Sequence, residues 1–70
     1  MRYAIVIEKA GSNYSAYVPD LLGCVATGDT IQDVTREIKA AVEFHIEGLL
    51  EDSAPIPQSL SIVDYVDVAA

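Results

Sequence analysis

The sequence predicts an α+β fold in which one amphipathic helix packs on a four-stranded sheet, in the order β-β-β-α-β. Three observations predict it: three short strand-like segments separated by turn residues, one long stretch with apolar residues at helical spacing, and an alternating apolar stretch near the C-terminus. A sheet and an amphipathic helix each have an apolar face to bury, so packing the helix across the sheet is the simplest arrangement.

Three strands are expected in the N-terminal part of the chain. Arg2–Lys9 contains the strand-favouring run Tyr-Ala-Ile-Val-Ile and is followed by turn residues. Tyr14–Val18 alternates between two faces before a proline ends regular pairing. Cys24–Thr27 is bracketed by Gly23 and Gly28, which we interpret as turn residues that need unusual backbone angles. Consecutive strands with short connections indicate an antiparallel meander.

A long amphipathic helix is predicted to begin at Ile31 and to end between Leu50 and Asp52. Thr30, followed three residues later by Asp33, resembles a capping box in which Asp takes the place of Glu. The apolar residues fall on one face of this helix, which is expected to dock on the sheet. That face consists of Ile31, Val34, Ile38, Val42, His45, Ile46 and Leu49.

A fourth strand is expected at Leu60–Val68, where polar and apolar residues alternate after the proline-containing segment Ser53–Pro57. It would complete the four-stranded sheet. Because a single helix covers only one face of a sheet, the opposite face and the strand edges stay available for assembly or for a partner.

Composition restricts the class of protein. The chain has 70 residues, 51% of them hydrophobic, so we expect residues 1–70 to form a single globular domain with apolar surface left over for a homo-oligomer. The net charge of -7 disfavours direct nucleic-acid binding and favours a basic protein partner. The lone Cys24 rules out an internal disulfide, and no apolar run is long enough for a bilayer, so a cytoplasmic location is expected.

No residue pattern predicts catalysis, a metal or a cofactor, and we do not expect an enzyme. His45 is the only histidine, and a packed or edge position is the favoured interpretation. Cys24 has no identifiable base and is expected to act as a small buried hydrophobe. Asp20 and Asp29 flank the third strand and invite a metal or acid/base interpretation, yet capping is the favoured role of Asp29.

The segment Val18–Thr30 resembles the signature of the HicB antitoxin family. It reads Val-Pro-Asp-Leu-Leu-Gly-Cys-Val-Ala-Thr-Gly-Asp-Thr, close to the family's "P-D-L-P-G-C … G-D-T", with Leu22 in place of the frequent proline. The likeness extends through the helix to Pro55–Pro57. It implies a degenerate, partial ribonuclease-H-like domain that neutralises a small basic, mRNA-cleaving toxin of HicA type by covering its active surface. The C-terminal DNA-binding domain of many members is not expected in this chain.

Five residues are candidates for contact with a partner. Asp20 and Leu21 are expected to be exposed within the signature, and Tyr17 lies on the side of its strand opposite Ala16. Phe44 projects away from the apolar face of the helix, and Tyr65 lies on the last strand. The alternative function is an orphan, self-assembling structural or small-ligand-binding protein of the same fold.

Overall fold

The computed structural model describes residues 1–70 and shows a three-stranded antiparallel sheet with one helix on one of its faces. β1 spans Val6–Ala10, β2 spans Asn13–Tyr17 and β3 spans Val25–Gly28, in the spatial order β1-β2-β3. The predicted meander is therefore confirmed, although β1 begins later than expected and β3 is displaced by one residue. The hairpin between β1 and β2 turns at Gly11, whose φ of 65° suits a residue without a side chain.

The strand register sorts the side chains into two faces. The row under the helix consists of Ile7, Ala16 and Ala26, and the neighbouring row on the uncovered face consists of Val6, Tyr17 and Val25. Ala16 is buried, whereas Val25 is 66% exposed. The uncovered face therefore carries an apolar row that runs across all three strands.

The helix α1 spans Ile31–Glu51, as predicted. Thr30 caps it, because the Thr30 hydroxyl accepts a hydrogen bond from the backbone N–H of Asp33 at 3.0 Å. The reciprocal half of a capping box is absent: the Asp33 carboxylate instead binds the Arg36 guanidinium at 2.7 Å. The helix lacks the length of uninterrupted apolar sequence that a membrane crossing would require.

Gly28 sets the distance between β3 and α1. The residue lies in the strand and has no positive φ, so the predicted role in an unusual turn conformation is wrong for Gly28, although it holds for Gly23, whose φ is 81°. A Cβ at Gly28 would lie 2.5 Å from the backbone nitrogen of Val34. The glycine is therefore needed for close approach of the helix backbone to the strand.

The core lies between α1, β2 and the β2–β3 connection. Six residues are buried: Ala16, Val18, Leu21, Cys24, Val34 and Ile38. None of them belongs to β1 or to the C-terminal segment. The close packing is thus concentrated toward the β3 side of the sheet.

The fourth strand is not formed, and the prediction of a four-stranded sheet is wrong. Leu60–Val68 contains no strand, and no backbone group of residues 55–70 is hydrogen-bonded to another backbone group. An alternating sequence makes pairing possible, but a strand forms only where an edge lies within hydrogen-bonding distance. Here the N–H groups of Leu60 and Ser61 are bound by the Asp20 carboxylate, and the segment after them makes no backbone hydrogen bond to the sheet.

Candidate functional site

An open groove of about 440 Å³ runs between the start of β3 and the last turns of α1. Val25 lines one wall, and Phe44 and Leu49 line the other. Tyr17 pairs with Val25 across the sheet, which extends the apolar surface from the groove around the free edge of β3 onto the uncovered face. We call the area formed by Tyr17, Leu22, Val25, Phe44 and Leu49 the β3-edge surface.

The connection between β2 and β3 presents Leu22 directly before Gly23 and Cys24, which line the groove, and we include Leu22 in this surface for that reason. The loop is closed by hydrogen bonds from the Val18 N–H to the Cys24 carbonyl and from the Cys24 N–H to the Leu21 carbonyl. This folding turns Leu21 into the core, where it is 1% exposed, and leaves Leu22 97% exposed. The expectation that Leu21 is exposed is therefore wrong, because the loop packs as part of the core and presents the next residue instead.

Carboxylates border the β3-edge surface on its helical side. Glu43, Glu47 and Glu51 are spaced four residues apart, so they form one exposed stripe along α1 beside Phe44. Asp52 lines the end of the groove, and the last turn of the helix has no basic residue. An apolar centre with a negative rim is suited to a partner whose surface combines apolar and basic side chains.

The groove does not contain a recognisable catalytic arrangement. Cys24 and His45 both line it, but no hydrogen bond joins their side chains. Burial raises the pKa of the Cys24 thiol, so the thiol stays protonated at neutral pH and is a poor nucleophile. No group of three or more His, Cys, Asp or Glu side chains is arranged to hold a metal ion.

Asp20 joins the signature segment to the C-terminal segment. Its carboxylate accepts hydrogen bonds from the backbone N–H groups of Leu60 and Ser61 and from the Ser61 hydroxyl, each at 3.0 Å. The backbone N–H of Ser61, followed by smaller contributions from its hydroxyl and from Leu60, lowers the pKa of Asp20 against the opposing effect of desolvation. Asp20 therefore anchors the start of the C-terminal segment to the β2–β3 connection.

The structure separates the five candidate residues into three groups. Tyr17 and Phe44 lie on the β3-edge surface, where Phe44 is 70% exposed. Leu21 lies in the core, beneath that surface. Asp20 binds the C-terminal segment, and Tyr65 lies on that segment with 88% of its surface exposed.

Sequence reasoning missed Leu22 and the stripe of Glu43, Glu47 and Glu51. The acidic residues seem scattered when they are counted along the chain, but a spacing of four within a predicted helix places them on one face. That signal was available in the sequence. The exposure of Leu22 was not, because it depends on which of two adjacent leucines the loop turns inward.

Known proteins include several relatives of this chain. Residues 3–69 match the family described as the HicB-like antitoxin of bacterial toxin–antitoxin systems. A UPF0150 protein of Synechocystis is 36% identical over 87% of this chain and 78% of its own length, and a UPF0150 protein of Helicobacter pylori is 35% identical over 91% and 90%.

A longer relative is the uncharacterized 14.9 kDa protein of the rep-hol intergenic region of Haemophilus phage HP1. It is 43% identical over 96% of this chain, which spans 50% of the length of the phage protein. No solved structure matches. The match over residues 3–69 covers nearly all of the three strands, the helix and the segment after it, and the chain is therefore a member of the HicB-like antitoxin family.

Proposed function

We propose that this antitoxin neutralises a small basic, RNA-cleaving toxin of HicA type by covering the toxin's active surface with the β3-edge surface. Membership of the antitoxin family indicates a non-catalytic, regulatory role with a toxin as partner. The observation that carries the finer proposal is the apolar groove at Phe44 bordered by the stripe of Glu43, Glu47 and Glu51. A toxin that binds RNA needs a basic surface, and such a surface is complementary to this border.

Apolar contacts and charged residues contribute to this binding in different ways. Phe44 and Val25 would supply the desolvated centre, where large side chains contribute most of the affinity. The carboxylates at the rim would speed the encounter and make it dependent on salt. Tyr17 extends the contact onto the sheet, and Leu21 supports it from below by holding the loop that presents Leu22.

The experiment uses a purified HicA-type toxin as the binding partner. Affinity is measured by calorimetry at low and physiological salt, together with inhibition of RNA cleavage. Phe44→Ala is expected to weaken binding by a factor of about 30 or more, as for a central contact residue. Leu60→Ala is the matched control, because Leu60 is 73% exposed but lies outside the β3-edge surface.

Two triple variants test the charge component. Glu43→Gln, Glu47→Gln and Glu51→Gln together change the net charge from -7 to -4, as do Glu8→Gln, Asp64→Asn and Asp67→Asn. The helical triple is expected to slow association and to flatten its salt dependence, whereas the control triple leaves both nearly unchanged. Equal effects of the two would show that only net charge matters. No association at low salt would reject a toxin-neutralising role.

A greater loss of affinity in Tyr65→Ala than in Phe44→Ala would also contradict the proposed surface. Binding would then depend on the C-terminal segment, which contains Tyr65 and is held by Asp20. The antitoxin role would survive that result, and only its location would change.

A further inference from the structure

The segment Leu60–Val68, called here the tail, exposes more apolar surface than any other stretch of its length in this chain. Its exposed large hydrophobic residues are Leu60, Ile62, Val63, Tyr65, Val66 and Val68, with exposures from 55% to 91%. They occur at both odd and even positions, so both faces of the extended segment are apolar. Such a segment has the composition of a β-strand but pairs with no sheet in this chain.

The tail begins beside the N-terminal residues, where residues 61–63 line a cavity with residues 2–4, and the molecule as a whole is elongated. The radius of gyration is 13.8 Å, whereas a compact domain of this length has a value of about 11 Å. The long axis of 49 Å also exceeds the length of α1, which is about 32 Å for 21 residues. Asp20 holds the first two tail residues, so the rest of the tail starts from a fixed point.

The free edge of β1 is the unpaired edge that the tail can complete. β1 pairs only with β2. The residues before it make no backbone–backbone hydrogen bond to another segment, but the Tyr3 hydroxyl donates to the Pro57 carbonyl, and residues 2–4 line a cavity with residues 61–63 of the same chain. The open part of this edge is therefore β1 itself. Charge is locally complementary as well. The tail carries Asp64 and Asp67 and no basic residue, whereas two of the four basic residues of the chain are Lys9, which lies in β1, and Arg2, which precedes that strand.

We infer that two copies of this chain pair by strand exchange, with the tail of each copy added to the free β1 edge of the other. The arrangement is two-fold symmetric and closed, so it gives a dimer and not a fibre. Six large side chains that each bury on the order of 100 Å² give about 1,200 Å² for two tails, which is within the range of specific interfaces. The inference is independent of the proposed toxin contact at the other edge.

The mass of the chain in solution, measured by sedimentation equilibrium over a wide range of concentration, tests the pairing. The expected result is an increase from 7.5 kDa to twice that mass. Val63→Pro with Val66→Pro is expected to weaken the dimer by roughly 100-fold, because successive residues direct their N–H groups to opposite edges and one proline removes a donor on either side. Leu22→Ser is the control, since Leu22 is equally exposed but lies outside the tail.

Charge-reversal variants test whether the tail pairs with the β1 edge. Arg2→Glu with Lys9→Glu is expected to weaken the dimer, and adding Asp64→Lys with Asp67→Lys is expected to restore it. Arg36→Glu with Lys39→Glu makes the same change in net charge on the helix and should leave the dimer intact. The helical circular-dichroism signal of the monomeric proline variant should match that of the wild type, because the tail contributes nothing to the buried core, whereas the strand signal should fall with the loss of the added strands.

Three results would overturn the inference. A wild type that stays at 7.5 kDa at every concentration excludes the dimer. A dimer that survives both prolines uses another surface. A dimer that is lost with the prolines but indifferent to the charges at Arg2 and Lys9 pairs tail with tail and leaves the β1 edge free.

Discussion

At the β3 edge of the sheet, the helix lies so close that Gly28 has no room for a Cβ, whereas at the β1 edge no further strand is paired and the apolar C-terminal segment is exposed. All six buried residues belong to β2, the β2–β3 connection or α1. The tail contains six large apolar residues, and all of them are exposed. Residue type alone therefore does not separate the core from a surface available for binding.

The difference between the two sides has a physical origin. The helix follows β3 after only two residues and is capped by Thr30, so it must fold back beside that strand. The tail follows the helix through two prolines, and Asp20 then fixes its first residues away from backbone pairing. Stability should thus reside on the β3 side, and changes in the tail should affect association instead.

The largest expected difference in the free energy of unfolding is between variants of two isoleucines. Ile38→Ala removes a side chain that is 2% exposed and is expected to lower the free energy of unfolding by about 2–5 kcal/mol. Ile62→Ala removes one that is 91% exposed and is expected to change it by no more than about 0.5 kcal/mol. Urea unfolding at a concentration where the chain is monomeric measures both. Similar losses in the two variants would mean that the tail is packed in solution.

Two glycines form the second comparison. Gly28→Ala places a Cβ 2.5 Å from the Val34 nitrogen, a backbone atom that cannot rotate away, and is expected to cost about 1–3 kcal/mol. Gly48→Ala meets nothing within 4 Å and lies inside the helix, so it is expected to stabilise by about 0.5–1 kcal/mol. Thermal unfolding followed by circular dichroism should move in opposite directions. A neutral Gly28→Ala would show that α1 can withdraw from β3 at little cost.

Two threonines give a smaller effect. Thr30→Ala removes the acceptor for the Asp33 N–H and is expected to destabilise by about 1 kcal/mol. Thr35→Ala removes only a hydroxyl that donates to the Ile31 carbonyl within the helix, and the better helix former should leave stability unchanged or slightly raised. Chemical unfolding measures both variants. If Thr35→Ala were the more damaging of the two, the cap would not be what fixes the start of α1.

The features that could be predicted from the sequence are local ones. The hairpin, the start of the helix at Ile31 and its cap depend on residues within a few positions of each other, and the structure confirms them. The predicted burial of one helical face was also correct for Val34 and Ile38, because the spacing of apolar residues indicates which side chains share a face.

The features that could not be predicted depend on contacts between distant residues. Leu60–Val68 has the pattern of a strand, but the bond from Asp20, forty residues earlier, decides where it goes. The burial of Leu21 and the exposure of Leu22 depend on how a loop meets the helix. Within the β3-edge surface, Val25 lies between Tyr17, its partner in the sheet, and Phe44, with which it lines the groove. This proximity cannot be read from the spacing of the three residues along the chain.

The smallest expected effect concerns the link between the two sides. The Ser61 and Leu60 hydrogen bonds lower the pKa of Asp20 below its ordinary value of 3.8 in the folded chain. A carboxylate whose pKa is lowered by folding stabilises the anchored state above that ordinary value, and the contribution is lost as the pH falls through the lowered pKa. The tail should therefore be anchored at neutral pH and released in acid.

The amide resonances of Leu60 and Ser61 report this release in nuclear magnetic resonance. In the wild type they are expected to shift as Asp20 becomes protonated, whereas in Asp20→Asn they should be displaced at neutral pH and should not titrate. Asp64→Asn is the matched control, because the Asp64 carboxylate accepts only from the N–H of Tyr65. Amide shifts that are identical in Asp20→Asn and the wild type would mean that the Asp20 carboxylate does not hold the start of the tail.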